Sequence, residues 1–510
     1  MPGFHIEHFG CRAARADGEA VSGSLRVAGL CERKPSVADV VVVNTCSVTA
    51  EADRAARAFI RRAHRLNPEA RIVVTGCLAQ RAPEELAGMD GVAAVVGNSH
   101  MALAPGIILG LAESAPIAFP ALVSPALISV ESLLSGGARA PIWADARFAH
   151  SFPEREQIAP GAQTRPNLKI QEGCGNRCTF CVIPQTRGTS RSLPAAAVLR
   201  QVEGFVAAGG KELVFSGINL GRWGREFSTT AQERSRVEVS GLPPLRQENV
   251  ARMGHGGILE DSAPRTLAGL VRQIFARTAL ARLRLSSIEP MDWDAELIGL
   301  MAEFGGGRLA RHAHLPLQSG SDAVLRRMHR RYRPWHYAEK VAALNRAAGP
   351  ELTLGADVMV GFPGETDREF EETLEMVRAL PFGYLHLFPF SPRPATMAWA
   401  LHAEHPVPAE AVEERMAALR ALASEKSKAH RGRFVGGALE AITLRAPAEM
   451  KARARTAALT ENFLPVEVKG SLAANRLVRL RVNGLNAEGA LEAEAERPEL
   501  VQQGVGATSI

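Results

Sequence analysis

The sequence predicts an α/β protein in which an open parallel sheet, an incomplete barrel and a small β-barrel follow one another along the chain. Short apolar β-branched runs alternate with helical patterns from residue 1 to 98, which is typical of buried parallel strands. Six strand-and-helix units lie between 164 and 432 and indicate an incomplete (βα)6 barrel of the TIM type. Short strands without long helices between them fill 433–510 and indicate the small β-barrel.

The N-terminal part has strand patterns at 38–44 and 70–75. A helix is predicted between them at 51–66, with Thr49 as its N-cap and Pro68 beyond its end. Residues 99–163 are rich in Ala, Pro, Ser and Gly. We expect them to form a linker with one helix near 101–113.

The strands of the central barrel are predicted at 168–171, 212–216, 282–287, 312–316, 352–360 and 384–390. The polar stretch at 226–265 is expected to be a surface insertion. A helix at 409–432 follows the barrel, and strands at 464–468 and 477–482 belong to the β-barrel. The carboxyl ends of the strands form the catalytic face of such a barrel, and the sequence motifs lie at these ends.

The composition is that of an ordinary globular protein, with 46% hydrophobic and 22% charged residues in 510. The first residues show no signal-peptide pattern, and prolines and acids interrupt the apolar segment at 101–134, so we expect no membrane span. Seven cysteines, an odd number, then favour metal or redox chemistry in the cytoplasm over disulfides. The net charge of +6 permits an anionic partner without requiring one, and we expect a monomer.

Three cysteines at Cys174, Cys178 and Cys181 lie in the run GCGNRCTFCVIPQTRG with the spacing Cys-x3-Cys-x2-Cys. Three thiolates this close can bind three irons of a cubane iron–sulfur cluster and leave the fourth iron open. A structural zinc site normally needs four protein ligands, and no fourth Cys or His lies nearby in the sequence. Chance clustering of buried cysteines is the alternative, but the run is too polar and too rich in glycine for a core segment.

A second set of cysteines comes from distant parts of the chain. Cys11, Cys46 and Cys77 each follow the carboxyl end of a predicted strand, and these ends line one edge of a parallel sheet. The sequence therefore predicts a second three-cysteine metal site with one open position. Any one of them alone would be better explained as a buried core cysteine. Cys31 lies outside this pattern and is interpreted as a non-ligand.

The Cys174–Cys181 run resembles the cluster loop of the radical S-adenosylmethionine (SAM) enzymes, which has this spacing with an aromatic residue, here Phe180, before the last cysteine. The resemblance implies that SAM binds at the barrel mouth. Candidate contacts lie at turns and strand ends, namely Gly209, Gly210, Glu212, Asn219, Ser287, Glu289, Gln318 and Asp357. A satisfied turn or helix cap explains each of them, taken alone, about as well.

Basic residues form two patches. The first is a stripe on one face of the helix near Cys46, since its members are three or four residues apart, namely Arg54, Arg57, Arg61 and Arg65. The second is a cluster close to Trp335, namely Arg326, Arg327, Arg330, Arg331 and Arg333, of which the first three are the candidate RNA contacts. Both patches suit an RNA phosphate backbone, and a solvated arginine-rich surface explains them equally well.

The order of motifs over nearly the whole chain resembles the radical-SAM methylthiotransferases. The motifs are FGCRAARADGE, VVVNTCSVTAEAD, VVTGCLAQ, CGNRCTFCVIPQTRG, SGINLGRWG, LRLSSIEP, HLPLQSGSDAVLRRM, DVMVGFPGET and FPFSPRPAT. NTCSVT and SSIEP are most similar to the branch that acts on N6-threonylcarbamoyladenosine beside the tRNA anticodon. The resemblance also implies that the C-terminal β-barrel is a TRAM domain that binds RNA.

The resemblance further implies two [4Fe–4S] clusters and a reaction. The cluster on Cys174, Cys178 and Cys181 would split SAM into methionine and a 5′-deoxyadenosyl radical, which takes hydrogen from C2 of the modified adenine. The second cluster would present a methylated sulfur for attachment at that carbon. Partners would be a tRNA, an electron donor and a sulfur source. A radical cofactor is needed because an aryl C–H bond is too strong for acid–base chemistry.

Three alternatives stay open. The substrate could be isopentenyladenosine in tRNA or an aspartate of a ribosomal protein. The chain could catalyse another radical-SAM reaction, such as methylation. It could also be a non-catalytic RNA-binding protein with structural clusters, although three ligands with one open iron speak against that.

Overall fold

The computed structural model describes residues 1–112, 139–148, 150–152, 164–228 and 264–496. These ranges form an N-terminal α/β part, a central α/β barrel and a C-terminal β-barrel, as predicted. Much of the predicted linker, nearly all of the insertion at 226–265 and the last residues lie outside the described ranges. Within those ranges, no helix combines the length and the apolar character that a membrane span needs.

The N-terminal part is a six-stranded parallel sheet with the strand order β2-β1-β3-β4-β5-β6. Its strands are β1 Gly3–His8, β2 Cys31–Glu32, β3 Val40–Thr45, β4 Arg71–Gly76, β5 Val92–Gly97 and β6 Ile142–Trp143. Its helices are α1 Arg12–Val27, α2 Ala50–Leu66, α3 Cys77–Arg81, α4 Pro83–Ala87 and α5 Ala104–Ala112.

Apolar side chains cover both faces of this sheet, as the β-branched runs predict. Val41 and Val43 pack with Phe59 and Ile60 of α2 on one face, and Val42 packs with helices α1 and α5 on the other. Helix α2 begins as predicted, since the Thr49 side chain accepts a hydrogen bond from the Ala52 amide at 3.2 Å. The predicted strands and the predicted cap are therefore confirmed in this part.

The predicted linker at 99–163 begins too early. Helix α5 packs through Ile107 and Ile108 into the N-terminal core, and β6 pairs with β5. The helix expected near 101–113 is present as α5, whereas the edge strand β6 was not predicted, because a strand of two residues shows no sequence period. The first third of the predicted linker therefore belongs to the N-terminal part.

The central barrel has six parallel strands in chain order, divided between two sheets. They are β7 Asn167–Glu172, β9 Glu212–Gly217, β10 Arg282–Leu285, β11 His312–His314, β12 Thr353–Val360 and β13 Phe382–Pro389, with the short β8 Arg191–Ser192 antiparallel to β7. The six-unit barrel predicted from the sequence is thus confirmed. The first sheet has the order β10-β9-β7-β8, and helix α1 of the N-terminal part packs against β7 and β9.

Helices cover the outside of this barrel and bury one large apolar core against its strands. They are α6 Ile183–Arg187, α7 Ala195–Ala207, α8 Leu267–Arg277, α9 Ala295–Phe304, α10 Asp322–Arg327, α11 Pro334–Ala348, α12 Asp367–Ala379, α13 Met397–Glu404 and α14 Ala409–Gly432.

The C-terminal part is a closed five-stranded barrel with the order β14-β15-β16-β18-β17. Its elements are β14 Ala438–Thr443, α15 Ala448–Ala452, β15 Arg455–Thr460, β16 Pro465–Lys469, β17 Leu477–Leu485 and β18 Leu491–Ala495. The turn between β15 and β16 contacts the central barrel. Arg284 donates to the Thr460 carbonyl at 3.1 Å, and Arg311 donates to Glu461 at 2.8 Å.

Candidate metal centres and barrel chamber

The first three-cysteine set lies at one edge of the N-terminal sheet. Cys11, Cys46 and Cys77 directly follow β1, β3 and β4, which are neighbours in the sheet. Cys46 has the largest effect on the pKa of Cys11, Cys77 acts electrostatically on Cys46, and Cys11 acts electrostatically on Cys77. The sheet order therefore brings together three thiols that are far apart in sequence.

Glycines directly before three cysteines permit these turns. Gly10 has φ +118°, and a Cβ there would lie 2.0 Å from the Cys46 Cβ. Gly76 has φ +95°, and its Cβ would lie 2.3 Å from the Thr45 carbonyl oxygen. Gly173, before Cys174, has φ +66°, and its Cβ would lie 2.0 Å from the Thr189 carbonyl oxygen. Only glycine fits these positions, because both the conformation and the contact exclude a side chain.

Cys11 has the most acidic thiol for which a shift is resolved. The hydrogen bond from Cys46 is the main cause that brings the pKa of Cys11 to about 6, against the opposing effect of burial. Arg187 and the amides of Ala13 and Ala14 in the first turn of α1 act in the same direction. Cys46 keeps its proton as the donor, and this bond together with burial raises the pKa of Cys46. A thiolate at Cys11 is the form that binds metal.

The second set lies in the loop between β7 and α6. The Cys181 amide donates to the Cys178 carbonyl at 3.1 Å, and the Asn176 amide donates to the Cys174 sulfur at 3.4 Å. Burial raises the pKa of Cys181 to about 12 and also raises that of Cys174. For both thiols burial outweighs the nearby arginines, and such buried sulfurs suit thiolates that are neutralised by bound iron.

A fully buried arginine connects the two sets. Arg187 ends α6, and its Nε lies 3.3 Å from the Cys77 sulfur. One guanidinium nitrogen donates to Glu172 at 2.8 Å and to Asp17 at 3.1 Å, and Lys169 forms ion pairs with the same two acids. Burial raises the pKa of Glu172. The positive charges of Arg187 and Lys169 outweigh this effect and bring that pKa to about 2.

Asn98 adds a second connection between the two sets. Its Nδ2 lies 3.3 Å from the Cys77 sulfur and 2.9 Å from the Thr186 carbonyl oxygen in α6. Asn98 therefore bridges the helix that follows the Cys174–Cys181 loop and a cysteine of the other set.

Arg330 plays the corresponding part at the second set. It is buried, its guanidinium lies 3.3 Å from the Cys178 sulfur, and it donates to Glu289 at 3.0 Å and to the Tyr332 hydroxyl at 3.2 Å. It is therefore not available to RNA at the surface, and its assignment to an RNA-binding patch needs correction. Spacing along a helix groups it with Arg326 and Arg327, but the chain turns inward after α10.

The spacing of the sulfur atoms bears on the kind of metal. In the described part of the chain, one group of three His, Cys, Asp or Glu residues has its ligand atoms all within 4.8 Å of one another. This group contains no cysteine, so neither cysteine set meets that distance. A single zinc ion needs such close donors. A cubane cluster places each ligand on a different iron, so wider spacing fits it better. The residues of both sets thus fit a cluster with three protein ligands.

Polar side chains fill the inside of the central barrel between β11, β12 and β13. The Tyr384 hydroxyl lies 2.8 Å from His312 Nε2 and 2.9 Å from His314 Nδ1. Asp357 lies 3.1 Å from His314 Nε2 and 3.3 Å from His386 Nδ1. We call these five residues the barrel chamber.

Two features of the barrel chamber concern its chemistry. His314, Asp357 and His386 are the close group of donors mentioned above and have the ligand types of a divalent metal site. Burial raises the pKa of Asp357, but hydrogen bonds from the two histidines hold it well below its usual range. Sequence reasoning missed His312, Tyr384 and His386, although the alternation in HAH and YLH on two strands could have indicated one shared inner face.

The N-terminal and C-terminal parts meet at the base of this chamber. Phe463, in the β15–β16 turn, lies 4.3 Å from the His312 ring and 5.5 Å from the Tyr384 ring, centroid to centroid. The guanidinium groups of Arg12 and Arg284 lie 5.3 Å and 5.2 Å from the Phe463 ring centroid. Arg12 directly follows Cys11, so the chamber adjoins the first cysteine set.

The residues predicted to contact SAM lie at two opposite ends of the strands. Asn219 follows β9, and its Nδ2 lies 3.9 Å from the Cys174 sulfur. Ser287, Glu289 and Gln318 follow the carboxyl ends of β10 and β11, and Asp357 lies within β12. Three others lie at the amino end of β9, namely Gly209, Gly210 and Glu212.

These last three residues need correction as SAM contacts. Gly209 and Gly210 cap α7 by hydrogen bonds to the Val206 and Phe205 carbonyls. Glu212 is buried and paired with Arg284 at 3.0 Å. A helix cap and an ion pair explain them, and the cysteine loop follows the opposite ends of the strands.

The predicted RNA-binding arginines are otherwise at the surface. Arg54, Arg61 and Arg65 are exposed on α2, whereas Arg57 donates twice to Glu85, at 2.5 and 2.9 Å. Of the second cluster, Arg326 pairs with Asp322 and Arg327 pairs with Glu369.

Comparisons with known proteins divide the chain in the same way. A model of Uncharacterized protein family UPF0004 matches residues 3–97, and a Radical SAM superfamily model matches 168–377. Threonylcarbamoyladenosine tRNA methylthiotransferase MtaB of Bacillus subtilis (strain 168) is 32% identical, over 92% of this chain and 90% of its own. tRNA-2-methylthio-N(6)-dimethylallyladenosine synthase of Erythrobacter litoralis (strain HTCC2594) is 32% identical, over 87% and 86%. Among solved structures, the radical S-adenosylmethionine methyltransferase TsrM from Kitasatospora setae aligns with a TM-score of 0.47 at 14% identity, over 79% of this chain and 78% of that chain.

Proposed function

Because the chain belongs to the radical-SAM methylthiotransferase family, we propose that it attaches a methylthio group to C2 of N6-threonylcarbamoyladenosine next to the anticodon of tRNA. Several relatives at about the same identity have the name threonylcarbamoyladenosine tRNA methylthiotransferase, and the first covers 92% of this chain. Family membership implies SAM and one [4Fe–4S] cluster. The second cluster is part of our proposal.

The observation that supports this function best is the direct connection between two three-cysteine sets. Arg187 follows one set by six residues and contacts a sulfur of the other at 3.3 Å. We assign one cluster to Cys174, Cys178 and Cys181 and the other to Cys11, Cys46 and Cys77. Bound there, the clusters and SAM supply the radical chemistry and the sulfur that substitution of an aryl C–H bond requires.

The chain's own groups hold and orient these ligands. Arg187 and Arg330 each donate toward a cysteine sulfur and are themselves fixed by buried acids. Such hydrogen bonds orient metal ligands and tune the metal. Asn219 lies beside Cys174, so we retain Asn219, Ser287 and Gln318 as proposed SAM contacts. Glu289 would act through Arg330, and Asp357 belongs to the barrel chamber.

We further propose that the tRNA lies against the exposed arginines of α2 and of α10, and that the C-terminal β-barrel contributes to RNA binding. A monomer in the cytoplasm, an external electron donor and a sulfur source complete this proposal. Phosphate contacts position an RNA without choosing its base, so base selection would occur inside the central barrel.

The test is mass spectrometry of tRNA nucleosides from cells that lack this protein and express variants of it. Wild type should restore 2-methylthio-N6-threonylcarbamoyladenosine. Cys46→Ala should still cleave SAM to 5′-deoxyadenosine but insert no sulfur, and Cys178→Ala should do neither. Cys31→Ala, which changes a cysteine outside both sets, should behave as wild type.

Three outcomes would contradict the proposal. A methylthio group on dimethylallyladenosine instead would identify the other tRNA substrate, which a relative of equal identity makes a real competitor. Modified ribosomal protein with unmodified tRNA would identify the protein branch. Equal loss of SAM cleavage in folded Cys46→Ala and Cys178→Ala would remove the assignment of separate roles to the two sets.

A further inference from the structure

Arg12 is a partly buried cation that forms no ion pair within the described ranges. Other buried arginines in this region are neutralised, since Arg284 pairs with Glu212 at 3.0 Å and Arg187 pairs with Glu172 at 2.8 Å. Arg12 forms no hydrogen bond or ion pair with any residue in the described ranges, and its guanidinium rests 5.3 Å from the Phe463 ring centroid. A cation without a counter-ion in such a place is costly, and a bound anion would remove the cost.

The surroundings of Arg12 favour an anion over a metal cation. Arg284 lies on the same Phe463 ring, at 5.2 Å. His312 is fully buried, and burial together with Arg284 and Arg12 lowers its pKa, so this ring stays neutral. Asp357 is the described carboxylate that acts electrostatically on Arg12, and it is already engaged by His314 and His386. A divalent ion at those three donors would face two arginines.

The position of Arg12 relates this cation to the reaction. It directly follows Cys11, so the two Cα atoms are about 3.8 Å apart. Its electrostatic partners Tyr384 and Asp357 line the barrel chamber. An anion held by Arg12 therefore lies between the first cysteine set and the inside of the barrel.

We propose that Arg12 binds the carboxylate of the N6 substituent of the substrate adenine and thereby selects threonylcarbamoyladenosine over dimethylallyladenosine. The threonylcarbamoyl group has a carboxylate, whereas the dimethylallyl group is an uncharged hydrocarbon. Arginine binds a carboxylate through two parallel hydrogen bonds. This inference rests on the proposed function, and it adds the residue that chooses the substrate.

A carboxylate also occurs at the amino acid end of SAM, so the experiment must separate the two sources. Reconstituted holoenzyme is titrated with SAM alone and with anticodon stem-loop RNAs that contain threonylcarbamoyladenosine, its methyl ester or dimethylallyladenosine. The ester removes the charge from the ligand and needs no change in the protein. Dissociation constants are measured by fluorescence anisotropy, and KM and kcat are measured for methylthiolation.

Wild type should bind the RNA with the free carboxylate (the acid RNA) about 10- to 100-fold more tightly than the RNA with the methyl ester, because the ester loses a charge-assisted hydrogen bond to Arg12. Arg12→Gln should bind acid and ester alike, raise KM for the acid RNA and leave the affinity for SAM unchanged. Arg12→Lys should recover part of the preference. Arg15→Gln is the matched control, since Arg15 is exposed on the same helix and pairs with Glu19 at 3.3 Å.

Equal binding of acid and ester by wild type would overturn the inference, and so would weaker binding of SAM, rather than of RNA, by Arg12→Gln. The proposed function fails separately. Wild type that prefers the acid RNA but leaves it unmodified would refute methylthiolation and still support carboxylate binding by Arg12.

Discussion

At the scale of single residues, the glycine before a cysteine controls where the sulfur lies. Gly10→Ala would place a Cβ 2.0 Å from the Cys46 Cβ and 2.6 Å from its sulfur, at φ +118°. We expect this variant to lose the first cluster and keep the second. Iron per chain after anaerobic reconstitution should fall from about eight to about four, as for the loss of one cubane.

Gly23→Ala is the matched control for this change. Gly23 lies in α1, and a Cβ there meets no atom within 4 Å. Alanine is the better helix former, so this variant should keep full iron and gain up to about 1 kcal/mol of stability. Full iron in Gly10→Ala would show that the turn before Cys11 adapts or that Cys11 is not a ligand.

The six proposed cysteine ligands were predictable from the sequence, but the side chains that contact their sulfur atoms were not. The spacing of three cysteines within one loop indicates one set, and the position of three cysteines after the ends of parallel strands indicates the other. Arg187 and Arg330 find their sulfur partners across 110 and 152 residues of sequence, and no local pattern indicates such contacts. Arg12 was missed for a related reason. Its distinguishing feature is that it forms no ion pair within the described ranges, and only the folded structure shows this.

At the scale of elements, the strands of the sheet and barrel were predictable to within a few residues, since buried parallel strands have continuous β-branched runs. It was harder to predict at which end of a strand a polar residue lies. Glu212 begins β9, whereas Asn219 follows it, so polar residues close to one strand in sequence can lie at opposite ends of it. Only the strand boundary separates the ion pair at one end from the proposed SAM contact at the other.

Helix α14 provides an element whose packing depends on pH. His430, 5% exposed, hydrogen-bonds to Thr353 of β12 at 2.8 Å, and burial with Arg433 and Arg431 lowers its pKa to about 4 from 6.5. The unfolded chain therefore binds a proton at a higher pH than the folded chain. The stabilisation from neutral His430 is complete above pH 6.5 and is lost as the pH falls toward 4.

We expect this loss to reach about 3 kcal/mol, from 1.36 kcal/mol per pKa unit. His430→Gln should therefore unfold at a temperature that depends less on pH between 4 and 6.5 than wild type does. His405→Gln, an exposed histidine beyond α13, is the control and should keep the wild-type dependence. Parallel profiles for wild type and His430→Gln, measured by thermal unfolding from pH 4 to 7, would contradict the assignment.

At the scale of the whole molecule, the three parts share one site. Cys11 and Arg12 come from the N-terminal sheet, Tyr384 and Asp357 come from the central barrel, and Phe463 comes from the C-terminal barrel. The order of the parts was predictable from motifs, but their contact at Phe463 was not, because it depends on how three separately folded surfaces dock. A TRAM-like barrel that touches the chamber can affect substrate binding as well as RNA affinity.

The arginine stripe on α2 gives the last prediction, because RNA binding involves the whole surface. Arg54, Arg61 and Arg65 are exposed, and none of them forms an ion pair within the described ranges, whereas Arg57 is held by Glu85. Replacing these three exposed arginines by Gln should weaken tRNA binding. The slope of log affinity against log salt should fall by about 0.7–0.9 for each phosphate contact that is lost.

The control is a variant with three other exposed arginines on the outer helices of the central barrel changed to Gln, namely Arg200, Arg346 and Arg420. It removes the same charge, so a general effect of net charge would appear equally in both variants. The site of modification in tRNA should be unchanged in the stripe variant, since phosphate contacts position an RNA without reading its bases. Equal salt slopes for the stripe variant and wild type, measured by titration with one tRNA at several salt concentrations, would mean that this face of α2 is merely solvated.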